Sequence, residues 1–324
     1  MTKSDLEHVL SMRETIEVVE RAFAELVQGT AYVPLRLMIN MEEQKGLFLT
    51  MPAYLTKSKS LATKIVSLFE QNPIKHGLPT IYALVVLNDP DTGRPLAIME
   101  GGFLTAMRTG AVGGVAAKYL ARNNSKVVGV IGAGVQSKTQ LWALCEVRDI
   151  TKALVYDIIP QRSNEYVNEM SRKLGIDVFP VDHAERAVKG ADILITATTA
   201  RDPVINGAWV EPGTHINAFG VMGPEARELD TTTIRKSKLI VDSREAVLSE
   251  SGDILIPIKE GSITEDHIFS ELGEIVTGRR EGRTSDNEIT LWKSVGLAIQ
   301  DAAATKLAYD KAVDQKLGIE VELT

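Results

Sequence analysis

The sequence predicts an α/β protein: a doubly wound parallel sheet in the middle of the chain, with a discontinuous α+β domain built from its two ends. Three observations predict it. Closely spaced apolar strands joined by short turns follow the first helix, the pattern of an antiparallel sheet. From about Asn123 strands alternate with helical stretches, the order that winds a parallel sheet. A last helical pattern within 294–315 comes after the alternating region, where it is free to pack back on the N-terminal part. The expected boundaries are 1–122 with 300–324 for the discontinuous domain and 123–299 for the parallel one.

The elements read in order as follows. Ser11 and Glu14 form an S-x-x-E capping box, and apolar residues recur at Ile16, Val19, Phe23 and Leu26 with helical spacing up to Gly29. The strands RLMIN, GLFLTMPAYL, LATKIVSLF, TIYALVVLN and PLAIME follow, with a Pro/Gly turn, NDPDTG, between the last two. Residues 103–121 form a helix rich in small side chains, able to approach its neighbours closely. KVVGVIG then begins the alternation, and ALVYD, ADILITATTA, GTHINAFG and SKLIVDS continue it.

With 324 residues, 44% hydrophobic and 24% charged, the chain has the composition of a globular protein and the length for two cores. A net charge of −7 and the absence of any Lys/Arg run give no sign of a nucleic-acid surface. The single cysteine, Cys145, allows no intramolecular disulfide, which fits a reducing compartment. The N-terminus lacks the apolar core of a signal peptide, and no stretch approaches the roughly 18 apolar residues of a membrane helix. The expectation is a cytoplasmic protein without membrane or nucleic-acid partners.

VVGVIGAGVQS, residues 127–137, is a dinucleotide fingerprint. Gly132 makes the tight strand-to-helix turn. Gly134 lets the backbone approach a pyrophosphate on the helix N-terminus, and Ser137 takes the third glycine's place, where a small residue suffices. Val135 and Gln136 lie within the same turn, and Thr198, near the end of ADILITATTA, is a further candidate for cofactor contact. A lone G-x-G is a weak signal, but here it follows a strand and opens a helix, as in a Rossmann domain. Asp157 ends the second strand, 23 positions beyond Gly134, where a carboxylate would accept from the adenosine ribose hydroxyls. Its charge would repel a 2′-phosphate, so NAD(H) is favoured, while nearby Arg162 leaves NADP(H) possible. A solvated strand-end acid is the alternative for Asp157.

Three cations are placed for work on an amino or imino acid. Strand alternation puts Lys64 on one face with Ala62, Val66 and Leu68, where desolvation would lower its pKa into a useful acid–base range. The alternative is a lysine whose ammonium reaches solvent. Arg36 in VPLRLMI and Arg108 in LTAMRTGAV sit among small or apolar neighbours, so each must find an anion: a substrate carboxylate, a cofactor phosphate or an internal partner. The histidines His8, His76, His183, His215 and His267 show no metal-ligand spacing, so no metal is expected. No Walker loop or nucleophile elbow occurs. Cys145 falls on the apolar side of its helix and reads as packing.

The segments MPAYL, TKIVSLFEQN, GLPT, TGRPLAIMEG, LTAMRTGAVGGVAAKYLAR, VIGAGVQS, GTHINAFG, ESGDI, ELGE and KSVGLAIQDAAATKLAYD resemble the ornithine cyclodeaminase/μ-crystallin family over nearly the whole chain. The resemblance implies a homodimer whose substrate-binding and dimerisation domain combines N-terminal strands with a C-terminal helix. It places the family's catalytic lysine on Lys64, carboxylate binding on Arg36 and Arg108, and a substrate contact on Met51. It puts Thr109, Val295 and Gly296 near the nicotinamide end. Cyclodeaminases and alanine dehydrogenases of the family carry an aspartate where Met222 stands here, and a polar substrate contact where Leu49 stands. A thioether neither takes nor gives a proton. The stretch PEARELD, in which Arg227 offers a further substrate contact, is closer to the ketimine reductase branch. The implied activity is reduction of a cyclic 2-imino acid by NAD(P)H. An alanine dehydrogenase, an ornithine cyclodeaminase and a ligand-binding protein without turnover are the alternatives.

Overall fold

In the computed structural model, which describes residues 1–220 and 223–322, the chain opens with helices α1 (Lys3–Val9) and α2 (Met12–Val27). Strands β1 (Ala31–Tyr32), β2 (Leu37–Met41), β3 (Gly46–Leu55) and β4 (Ser60–Phe69) follow, then α3 (Asn72–Lys75), β5 (Ile81–Asn88), β6 (Pro95–Glu100) and α4 (Gly101–Leu120). The middle of the chain runs β7 (Val127–Ile131), α5 (Val135–Val147), β8 (Lys152–Tyr156), α6 (Pro160–Leu174), β9 (Asp177–Pro180), α7 (Ala184–Val188), β10 (Ile193–Thr196) and β11 (His215–Ala218). It ends with α8 (Thr231–Lys236), β12 (Ser237–Val241), α9 (Arg244–Glu250), α10 (Gly252–Lys259), β13 (Ile268–Glu271), α11 (Leu272–Val276), β14 (Ile289–Lys293) and α12 (Ala298–Gln315).

The chain divides into one unit of Met1–Arg108 with Leu297–Thr324 and a second of Thr109–Gly296. The division falls inside α4, 14 residues before the compositional change read near Asn123. A helix that continues through a boundary leaves no turn residues to mark it.

The first unit holds an antiparallel sheet in the order β1-β3-β4-β5-β6, with β2 also on β3. Register and pleat put Leu49, Met51 and Ala53 of β3, Ala62 and Lys64 of β4, and Val85 and Leu87 of β5 on one face. Helix α12 covers that face. It presents Ala298, Ala302, Ala304 and Ala308, all buried, so its backbone comes close to the strands. Ser60 Oγ donates to Ala302 O at 2.8 Å, pinning helix to strand. Helix α2 packs on α12, and Ser11 caps it by accepting from Glu14 N, while the Glu14 carboxylate takes the Ser11 hydroxyl rather than completing the reciprocal box. The opposite face of the sheet carries Leu37, Ile39, Leu84 and Ile98, each about half exposed.

The second unit holds an eight-stranded sheet in the order β13-β12-β14-β11-β10-β7-β8-β9, with every pair parallel. Its central strands are buried on both faces. Val128, Val130, Ile193 and Ile195 join one apolar cluster, while Ile131, Leu194, Ile216 and Leu291 join the other. This explains the continuous apolar runs read as parallel strands. The order reverses at β7, whose neighbours are β8 and β10, so the crevice beyond their C-terminal ends is the switch point where such sheets bind ligands. Strands β9, β13 and β14 were not read from the sequence. They are four or five residues long, too short for a period to show.

A buried polar chain ties this sheet to α4. His215 is fully buried, and burial, with the charge of Arg283, pushes its pKa down to about 3, so it is neutral. Its Nε2 lies 2.9 Å from Asn217 Oδ1, and Asn217 Nδ2 is already spent on Gly113 O at 3.2 Å. The histidine's Nδ1 lies 3.0 Å from Thr290 Oγ1, and the Thr290 hydroxyl donates to Leu120 O at 2.9 Å. Gln140 Nε2 donates to Thr109 O at 2.8 Å on the same helix. This histidine is structural. Among the described residues no group of His, Cys, Asp and Glu is placed to hold a metal, and no helix is long and apolar enough to cross a membrane.

Gly129 explains the one non-apolar letter in the first parallel strand. A Cβ there would stand 2.1 Å from Ala187 O, a backbone atom at the end of α7. Gly129→Ala is expected to destabilise the protein by about 1–3 kcal/mol through overpacking, read as a lower midpoint in chemical denaturation.

Candidate active site

Lys64 sits mid-strand on β4, directly opposite Met51 on β3 and Val85 on β5. Its side chain is 3% exposed, so the ammonium does not reach solvent. Its anion comes from the first turn of α12: Asp301 Oδ1 lies 3.1 Å and Oδ2 3.0 Å from Nζ. Arg108, near the middle of α4, donates from Nε to Asp301 Oδ1 at 2.9 Å and from Nη1 to Gln300 Oε1. Gln300 is fully buried, and its Nε2 has no hydrogen-bond partner among the described residues. Arg36 is half-buried just before β2, and its charge is felt at Lys64.

Burial is the main force on the lysine, lowering its pKa, and the Arg108 and Arg36 charges push the same way. Asp301 opposes them, and the balance leaves the ammonium at about 8. Such a group is charged at neutral pH and yields its proton readily. Lys64 and Arg108 both engage the one carboxylate of Asp301, and Arg36 adds positive charge felt at the lysine, a field that favours a small carboxylate. Strand alternation brought Lys64 into view, and the family resemblance pointed to Met51. Asp301 and Gln300 were missed. They stand in an alanine-rich helix 237 positions from the lysine, and nothing local distinguishes them.

In the second unit Gly132 ends β7 with φ +95°, and a Cβ there would meet Ala197 O at 2.7 Å. Gly134 is the N-cap of α5, has no side-chain cap, and leaves open space where a Cβ would project. The first-turn N–H groups of α5 are therefore not met by a capping side chain, and Val135 is largely exposed beside them. Ser137 fits the third glycine position, buried, with its hydroxyl donating to Gly134 O at 3.0 Å. Asp157 accepts from Ala133 N through Oδ2 and from Ile159 N through Oδ1, both at 2.9 Å, so it holds the turn from the end of β8. Gln136 is half-buried, and Arg162 is exposed on the first turn of α6. The uncapped helix end, the space over Gly134 and the adjacent carboxylate fit a dinucleotide.

The loops beyond the neighbouring strands are fixed by buried acids that the sequence did not reveal. Glu228 accepts from Thr198 N at 2.6 Å and Gly220 N at 2.7 Å, joining the segments after β10 and β11. Burial raises its pKa, against the charge of Lys293. Lys293 pairs with Asp253 at 2.7 Å. Burial works against its charge, but Asp253 and Glu228 outweigh it and keep its pKa above the ordinary value. Asp242 Oδ2 accepts from Ser294 Oγ, Val295 N and Gly296 N at 2.8 to 2.9 Å, so the S-V-G turn is built on one carboxylate. Burial raises the pKa of Asp242 too, opposed by those donors. Thr109 is nearly buried, with its carbonyl engaged by Gln140. Arg227 is committed to Thr231 and Glu260, at 3.0 and 3.1 Å. Met222 lies outside the described residues. Burial raises the Cys145 thiol to about 12, consistent with packing rather than chemistry.

Fold and site together define an α/β protein with a Rossmann-type sheet in one unit and a buried lysine–carboxylate–arginine cluster in the other. The model of the ornithine cyclodeaminase/mu-crystallin family matches residues 1–316, and the chain belongs to that family. A Δ(1)-pyrroline-2-carboxylate reductase of Thermococcus litoralis, solved with NADH and L-proline, is 58% identical, with 99% of each chain covered and a TM-score of 0.97. An archaeal alanine dehydrogenase dimer solved with NAD is 39% identical, covering 100% of this chain and 98% of that one, with a TM-score of 0.93. A Δ(1)-pyrroline-2-carboxylate reductase of Bacillus cereus is 36% identical, with 99% of each chain covered.

The two glycines of the turn separate in their expected behaviour. Gly132→Ala combines a positive φ with a backbone clash and is expected to cost about 1–3 kcal/mol. Gly134→Ala meets nothing and should stay within about 0.5 kcal/mol of the parent. Denaturation midpoints of both variants check this.

Proposed function

We propose that this chain is an NAD(H)-dependent reductase of cyclic 2-imino acids of the Δ1-pyrroline-2-carboxylate and Δ1-piperideine-2-carboxylate type, forming the L-amino acid. The observation that carries the reading is Lys64, a fully buried ammonium of moderate acidity set among Arg108, Arg36 and Asp301. The 58% identical relative that binds NADH and L-proline supports it.

The substrate is a small ring bearing a carboxylate beside a C=N bond. Arg108 and Arg36 supply the positive charge that holds the carboxylate, and Met51 supplies an apolar wall opposite Lys64. The Lys64 ammonium holds a proton on the imine nitrogen, which makes the ring carbon electrophilic. NAD(H), when bound, supplies the hydride for that carbon. The C=N double bond becomes C–N, the nitrogen keeps the proton and the carbon gains the hydride, so no water or ammonia is consumed. Gly132, Gly134, Val135 and Gln136 would hold the pyrophosphate, and Asp157 would accept from the adenosine ribose. Thr109, Thr198, Val295 and Gly296 would hold the nicotinamide end. Met222 in place of an aspartate favours this reaction over alanine oxidation, which needs a protonatable group to handle water and ammonia.

We infer that two copies associate through the apolar sheet face of Leu37, Ile39, Leu84 and Ile98. Replacing both Leu84 and Ile98 with Asp should give monomers by light scattering, and an unchanged mass would reject this face. We infer a cytoplasmic location, and the single cysteine, which allows no intramolecular disulfide, supports it.

The test is NADH oxidation with the cyclic imine. Good turnover of pyruvate plus ammonia with none of the imine would reject the reading. Lys64→Ala should lower the rate by about 10²–10⁴ while leaving NADH binding, read by fluorescence, intact. Because reduction needs the charged lysine, its rate should be level in the neutral range and fall as pH rises through about 8. Oxidation of the product amine needs the neutral lysine and should rise over the same range.

A further inference from the structure

We propose that Asp301 is a positioning residue that keeps Lys64 an acid at neutral pH and aims its remaining proton at the substrate. The inference rests on Lys64 acting as the proton donor described above.

The groups facing Lys64 are Met51 from β3 and Val85 from β5, both uncharged, then Arg108 from α4, Arg36 before β2, and Asp301 from α12. Asp301 is thus the negative charge in direct contact with both Lys64 and Arg108, and at 1% exposure water does little to screen it. Remove that charge and burial, Arg108 and Arg36 all favour the neutral amine. A neutral Lys64 has no proton to place on an imine at physiological pH.

Geometry gives Asp301 its second role. Both carboxylate oxygens lie within 3.1 Å of Nζ, which occupies part of the ammonium's donor set and leaves the rest for a ligand. The carboxylate is itself fixed. It lies in the first turn of the 18-residue helix α12, where the helix field favours negative charge, and no side chain caps that end. Ser60 pins the next turn through Ala302 O, and Thr305 Oγ1 donates to Asp301 O at 2.7 Å. Gln300 takes Nη1 of Arg108 while Asp301 takes Nε, so neighbouring positions on one helix orient the arginine as well.

The experiment is the pH profile of reduction by the Asp301→Asn variant, which keeps the shape and loses the charge. The falling limb should move from about 8 to lower pH by about one unit or more. The rising limb of product oxidation should move the same way, and much of the reductive rate should return at low pH. A rate reduced equally at every pH, with the limb unmoved, would mean that Asp301 only anchors the helix and would overturn the proposal. Should Asp301→Asn not fold, Asp301→Glu decides. It keeps the charge and displaces it, so the limb should stay while the rate falls, and a displaced limb would count against the proposal. If the parent does not reduce the cyclic imine, the functional reading fails, and the same shift is then sought in the reaction that the parent does perform.

Discussion

One buried carboxylate organises the substrate-side unit. Asp301 carries a negative charge into a space shared by Lys64 and Arg108, from which water is almost excluded. A single buried cation would be costly there, and two without an anion would be more so. The alanines of α12 make the arrangement possible, because only a helix with a small-residue face brings its first turn close enough to the strand carrying the lysine.

The nucleotide-side unit solves a related problem with the same chemistry. Loops at the C-terminal ends of parallel strands must be rigid to hold a ligand, yet their backbone N–H groups lie outside the sheet's own ladder. Here carboxylates take them. Asp157 holds the glycine turn, Glu228 joins the segments after β10 and β11, and Asp242 collects the donors of the S-V-G turn. Lys293 offsets the charge of Glu228 and Asp253 from inside. Burial pushes the pKa of Glu228 and of Asp242 upward, and the donors around them hold it down.

Much of this was legible in the chain. Strands β3 and β6 begin and end where alternation and turn residues place them, because a half-buried strand writes its period of two directly into the side chains. Lys64 was recognisable for the same reason, as the charged letter on an apolar face. Strands β9 and β13 at the two edges of the parallel sheet, and β14 within it, were not legible. They are four or five residues long, too short to show a period or a long apolar run. Asp301, Glu228 and Asp242 were invisible for a different reason. An acid in a helix or loop looks solvated until the fold shows what surrounds it.

By itself the sequence determined what depends on neighbours along the chain: the periodicities that make two kinds of sheet, the glycine turn with its acid 23 positions on, and a lysine turned toward a core. Tertiary structure decided which charges meet. Asp301 reaches Lys64 across 237 positions and Arg108 across 193. The energy of such contacts depends on distance and on the exclusion of water, and neither quantity exists until the strands and the last helix have packed.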